Sequence, residues 1–143
     1  MFFEGTVLSE GRGTDKPFQL FGHPSLPKTL ASFTPHSKPG ATNPKLKDQL
    51  CYGWDLRGDV AGVLSKVDSR VQIKYLLEAY QQFPQKDSFF LNKGNFFNKL
   101  AGNNILLQQV KEGKTEAEIR KSWEPGLSQF KEIRKKYLLY EDF

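Results

Sequence analysis

Proline sets the first limit on what this chain can fold into. Pro24, Pro27, Pro35, Pro39 and Pro44 punctuate the stretch from His23 to Gln49. Each removes a backbone donor and biases its predecessor toward extended geometry, so no long helix runs there. Short strand and loop remain. Leu30-Ala31-Ser32-Phe33-Thr34 has strand character, and Ser37 to Lys47 reads as a mobile, solvated loop. At 143 residues the chain suits one domain and can bury a core without cross-links.

After the proline belt comes Leu50-Cys51-Tyr52-Gly53-Trp54-Asp55-Leu56, apolar and aromatic on both sides and closed by Arg57-Gly58-Asp59. A strand apolar on both faces belongs in the middle of a sheet. The pattern then turns helical. Ser69-x-x-Gln72 has the form of a capping box, and Ile73, Leu76, Leu77 and Tyr80 share one face of the helix it opens, up to Pro84. Phe89-Phe90-Leu91 and Phe96-Phe97 read as core aromatics flanking a turn at Asn92-Lys93-Gly94-Asn95. Asn103 or Asn104 caps a helix carrying Ile105, Leu106 and Val110, with Gly113 just past its end. Thr115-x-x-Glu118 opens a longer stripe of Ile119, Trp123, Leu127, Phe130 and Ile133, and Pro125-Gly126 within it predicts a kink or two helices in sequence. Tyr137-Leu138-Leu139-Tyr140 reads as a short strand or an aromatic clasp. The expected architecture is α+β: a single compact domain, a small mixed sheet and about three to five helices, with a helix-rich C-terminal half.

The densest run of functional residue types lies at the other end. Phe2-Phe3-Glu4-Gly5-Thr6-Val7-Leu8-Ser9-Glu10-Gly11-Arg12-Gly13-Thr14 mixes carboxylates, hydroxyls, glycines and one arginine. Glycine permits close backbone approach to a ligand, and an arginine between two glycines presents its planar fork with little screening. The stretch reads as the lip of a polar cleft. Phe2 to Leu8 predicts a short strand. Thr14-Asp15-Lys16-Pro17 predicts a helix start leading through Phe18, Leu20 and Phe21 to Gly22, an arrangement that places anions on a helix N-terminus. Arg12 has two readings of equal weight: a partner for a ligand carboxylate, or a bridge to glutamate that stiffens the loop. Glu4 and Glu10 form a candidate carboxylate pair. Glycoside cleavage needs such groups roughly 5–5.5 Å or 6.5–9.5 Å apart, which the spacing does not fix. The alternative is one glutamate bonded to loop amides and the other solvated.

Other chemistries find little support. The lip matches neither a Walker loop nor a dinucleotide fingerprint. Cys51 is the sole cysteine, so there is no internal disulfide or multi-cysteine metal site. His23 and His36 sit in loop-like sequence without a ligand pattern, and neither a metal nor a cofactor is expected. The net charge of +5 is spread out, with nine Lys/Arg against seven Asp/Glu in residues 1–70 and twelve against nine in 71–143. Lys131, Arg134, Lys135 and Lys136 then read as a solvated helix face, and no nucleic-acid partner is expected. No apolar run approaches the ~20 residues that span a bilayer, and no signal peptide is evident.

Several motifs together resemble a known family. Phe3-Glu4-Gly5-Thr6-x-x-Ser9-x-Gly11-Arg12-Gly13-Thr14-x-x-Pro17-Phe18 is similar to the signature of the NamZ-type peptidoglycan exo-β-N-acetylmuramidases. The likeness continues through Phe33-Thr34-Pro35, Gln49-Leu50-Cys51-Tyr52-Gly53, Phe97-x-Lys99-Leu100-Ala101-Gly102, Ser122-Trp123-Glu124-Pro125-Gly126-Leu127 and Tyr137-Leu138-Leu139-Tyr140. It implies a bacterial glycoside hydrolase of cell-wall recycling that releases terminal N-acetylmuramic acid from peptidoglycan fragments. The family's enzymes pair an N-terminal Rossmann-like domain with a smaller C-terminal one. All the matching motifs belong to the second, so residues 1–143 are expected to form it, with the first domain absent.

By resemblance, the cleft lies between the two domains and the main catalytic glutamate sits on the missing one. No catalytic residue is therefore assigned here beyond Glu4 as a candidate. Glu4, Thr6, Ser9, Arg12 and Thr14 are expected to form the facing wall of the substrate site, with Arg12 meeting the lactyl carboxylate of muramic acid. The expected partners are a muramyl glycan and the Rossmann-like domain, and the expected location is periplasmic or extracellular. Two departures stand out: Gly22-His23-Pro24-Ser25 replaces the family's frequent Gly-Ala-Pro-Trp, removing an aromatic, and Glu10 occupies a position that is often apolar. The competing reading is a free-standing glycan- or peptide-binding module without catalytic activity.

Overall fold

A computed structural model describes residues 2–91 and 93–141. Three strands, β1 (Leu20–His23), β2 (Ala31–Phe33) and β3 (Cys51–Asp55), form an antiparallel sheet in the order β1-β3-β2. The predicted middle strand is therefore the middle strand. Its Gly53 lies opposite Gly22 of β1 and Ala31 of β2. A Cβ on Gly53 would fall 1.9 Å from the Phe21 carbonyl oxygen, so only glycine lets β1 and β3 close here.

Six α-helices follow among the described residues: α1 (Val60–Val67), α2 (Lys74–Gln82), α3 (Lys86–Phe89), α4 (Phe96–Ala101), α5 (Ile105–Lys111) and α6 (Glu116–Arg134). The α+β class and helix-rich second half are as expected, while the sheet is antiparallel throughout and the helices exceed the expected range. The core joins Leu8 of the lip and Phe21 of β1 to Phe83, Phe89, Phe90 and Phe97. Trp54 stacks on Phe21 with ring centroids 5.2 Å apart and donates its Nε1–H to Glu78 of α2, tying sheet to helix.

The helix boundaries show where local signals win and where they lose. The Thr115–Glu118 capping box forms, with bonds of 2.8 Å from the Thr115 amide to Glu118 and 3.3 Å in return. Asn103 caps α5 through the Ile105 and Leu106 amides, and Gly113 follows it with φ +73°. Ser69-x-x-Gln72, by contrast, does not cap. Asp68 and Ser69 both adopt left-handed backbone, and α2 begins at Lys74 without a side-chain cap. Asp59 does cap, accepting from the Gly62 amide at 2.8 Å, and opens α1, a helix with no counterpart among the expected elements. Its apolar residues Val60, Leu64 and Val67 are all exposed.

Of the two alternatives for the longest pattern, one helix rather than two runs through Pro125. Proline's φ suits a helix, and the carbonyl it leaves unbonded belongs to exposed Lys121, where water can reach it. Leu127, Phe130 and Ile133 of its stripe are exposed rather than core. Tyr137 and Tyr140 are also exposed and form neither strand nor clasp. Asn92, part of the expected aromatic-flanked turn, lies outside the described residues. Phe89, Phe90 and Phe97 are buried, but Phe96 is not.

Cys51 is wholly buried in β3 beside Leu20 and Phe33. Burial pushes its thiol up to about 11, whereas an unfolded thiol ionises near 8.5. Folding thus favours the protonated thiol. The resulting stabilisation is complete below the unfolded value and is lost as pH rises toward the folded one. Native protein at pH 8 is expected to resist Ellman's reagent, reacting only when guanidinium unfolds it. Equal rates in the two states would show that the strand does not protect the thiol.

Candidate functional site

The lip is not a strand followed by a helix. Phe2–Gly5 is a turn of 3-10 helix, after which the chain makes single bridges from Thr6 to Phe90 and from Ser9 to Gly22. The second is a reciprocal pair of 2.9 and 3.0 Å that lays the lip along the open edge of β1. The expected helix at Thr14 is replaced by turns leading into β1. Phe18 adopts φ 66°, in the left-handed region that a bulky side chain rarely occupies, which breaks any helix there. The anion site on a helix N-terminus falls with it. The Phe18 amide instead donates to the Glu10 carbonyl at 2.8 Å, closing the lip into a loop.

Arg12 stands at the centre of that loop. Its Nη2 lies 3.0 Å from Glu4 Oε1 and its Nε 3.5 Å from Glu10 Oε1. The stiffening bridge therefore exists, yet the Arg12 side chain remains 47% exposed and its guanidinium carbon lies 5.2 Å from the Phe18 ring centroid. Bridge and ligand contact are compatible, because a guanidinium has five donors in a fixed fork. Both glutamates face cations. Glu10 is neither solvated nor bonded to loop amides: its side chain is 7% exposed and its Oε2 lies 2.9 Å from Lys45 Nζ.

Of the other expected wall residues, Thr6 and Ser9 are buried within the loop. The Thr6 hydroxyl donates to the Phe3 carbonyl and accepts from the Leu8 amide, and the Ser9 hydroxyl accepts from the Gly11 amide. Thr14 donates to the Gly11 carbonyl at 2.6 Å and lines a cleft of about 420 Å³ together with Arg12, Phe18, Lys38 and Gly40. Lys38 pairs with Asp15, and that ammonium holds the Asp15 carboxyl below its ordinary range.

The proline belt forms the opposite rim and is anchored rather than free. The His36 amide donates to the Gly13 carbonyl at 2.9 Å, and the Asp48 amide donates to the Pro35 carbonyl at 2.7 Å. Gly13 has φ +82°, and a Cβ there would meet the His36 carbonyl oxygen at 2.5 Å and Pro44 at 2.7 Å. Lys45 reaches from this belt into the lip, donating toward the carbonyls of Phe3, Glu4, Thr6 and Leu8 at 3.0, 3.2, 3.1 and 3.3 Å.

Phe18, Lys38 and Lys45 are additions to the expected site. Only Phe18 carries a sequence signal, as the last residue of the opening motif. Among the described residues, no three His, Cys, Asp or Glu side chains are grouped to hold a metal ion.

Fold and cleft together define a small α+β domain whose loop-built edge presents an exposed, carboxylate-braced arginine. The chain belongs to the family described as exo-beta-N-acetylmuramidase NamZ, C-terminal, whose model matches residues 1–140. It is similar to the peptidoglycan beta-N-acetylmuramidase NamZ of Bacillus subtilis (strain 168), at 34% identity over 96% of this chain. It is also similar to a crystal structure of a DUF1343 family protein from Bacteroides fragilis NCTC 9343, with 38% identity, a TM-score of 0.87 and 99% of this chain covered. The chain spans 35% of the length of the first and 39% of the second.

Proposed function

We propose that this chain is the substrate-cleft domain of an exo-β-N-acetylmuramidase, holding terminal N-acetylmuramic acid while a second domain of the same enzyme supplies the general acid. The observation that carries this reading is Arg12, whose half-exposed guanidinium lines the cleft while Glu4 accepts from its Nη2 and the Glu10 carboxylate lies 3.5 Å from its Nε. A braced, always-charged fork suits a carboxylate ligand, and the lactyl carboxylate is what separates muramic acid from glucosamine. Phe18 offers an apolar ring face beside it. Glu4 and Glu10 are both engaged by cations of the loop, Glu4 by Arg12 and Glu10 by Lys45.

Amide chemical shifts during titration with N-acetylmuramic acid test the reading. Movement is expected at Arg12, Gly13, Thr14, Phe18 and Gly40, with little response to N-acetylglucosamine. Equal responses to both sugars would remove the carboxylate from the account, and silence toward both would remove the cleft.

A further inference from the structure

Lys45 directs nearly all of its polar contacts to main-chain oxygens of a distant segment. Its Nζ has the carbonyls of Phe3, Glu4, Thr6 and Leu8 within 3.3 Å, with the Glu10 carboxylate at 2.9 Å. An ammonium has three protons, so five oxygens exceed what it can bond singly. Carbonyl dipoles can take the place of water around a cation, and the part-buried Lys45 ammonium has such oxygens on its protein-facing side. Carbonyls from residues 3 to 8 converge on one point because the lip curls around it.

The geometry points to Lys45 as a tethered counter-cation around which the lip is wound. It acts as a positioning residue for Arg12, and its cradle accepts a small free ammonium once the tether is cut. Two links connect it to the cleft. Glu10 is shared between Lys45 and Arg12, so the ammonium fixes the carboxylate that faces the Arg12 Nε. The Glu4 carbonyl is held by Lys45 while the Glu4 carboxylate holds the Arg12 Nη2. Through Glu4 and Glu10 the proline belt thus bears on the position of the guanidinium. This role in ligand binding rests on the cleft reading above, whereas the winding of the lip does not.

The experiment uses the 143-residue chain and its Lys45→Ala variant, with melting temperature, the Arg12 Nε–H resonance and N-acetylmuramic acid affinity read in parallel. Truncation is expected to lower the melting temperature, move the Arg12 resonance toward that of a free side chain and weaken the sugar at least tenfold. Methylammonium chloride is expected to restore all three. Tetramethylammonium chloride at equal ionic strength, too bulky for the cradle, is expected to restore none. A truncated chain that melts like the parent, or equal recovery in both salts, overturns the proposal. If the parent itself ignores the sugar while methylammonium still restores stability, the cleft reading fails and the winding of the lip stands. Should Lys45→Ala not fold, the parent decides: its Lys45 ammonium protons are expected to exchange slowly and to show couplings from Nζ to the four carbonyl carbons. A fast-exchanging, uncoupled ammonium contradicts the cradle.

Discussion

Replacing Arg12 with glutamine is expected to weaken N-acetylmuramic acid by about tenfold to a hundredfold while barely changing the response to N-acetylglucosamine. A hydrogen bond to a charged group is worth about 1.5–3 kcal/mol, and each 1.4 kcal/mol is tenfold in affinity. Glutamine keeps a planar donor but loses the charge and the fork. The fold should survive, because Arg12 is half exposed and buried Glu10 keeps Lys45 as its partner. A variant that melts like the parent and still binds both sugars as the parent does would show that Arg12 serves only to stiffen the loop.

The largest loss of stability is expected from Gly53→Ala. The added carbon would sit 1.9 Å from the Phe21 carbonyl oxygen and 2.6 Å from the Gly22 Cα, both main-chain atoms of the paired strand. Neither can step aside as a flexible side chain would, so β1 and β3 must separate. A cost of about 3 kcal/mol or more is expected, which for a domain of this size lowers the melting temperature by on the order of 10 °C. The damage reaches the cleft, because Gly22, opposite Gly53, carries the bridge that seats Ser9 on β1. Gly126→Ala is the control. Gly126 lies within α6, and a Cβ there would meet no neighbour within 4 Å, so alanine is expected to leave the melting temperature unchanged or raise it. Similar losses at both positions would mean that strand contact is not what requires glycine at 53.

Much of this architecture is legible in the sequence because its signals are local. An unbroken apolar run marks β3 as central, and Thr115 with Glu118, or Asn103 before an apolar triplet, marks helix starts that the fold uses. The failures share a cause as well. The residues after Pro17 suggest a helix because nothing in the sequence shows that Phe18 takes a left-handed backbone. Ser69 and Gln72 have the spacing of a cap, but Ser69 follows the left-handed end of α1 at Asp68 and itself takes a left-handed backbone that does not cap. The exposed apolar faces of α1 and the second half of α6 show that helical period alone does not tell a core face from an uncovered one. In the site, Arg12 and Thr14 of the opening motif line the cleft, and Glu4 pairs with Arg12. Thr6 and Ser9 carry the same motif but are occupied in building the loop. Lys45 has no local signature, being one lysine in a proline-rich stretch that reads as free loop. Its meaning comes only from the carbonyls that a distant segment brings to it.

The most direct measurement is a crystal structure of this domain with N-acetylmuramic acid bound. The lactyl carboxylate is expected within hydrogen-bond distance of the Arg12 guanidinium, with the sugar between Phe18 and the Lys38–Ala41 rim. Sugar bound with its lactyl group turned away from Arg12, or bound outside this cleft, would contradict the assignment.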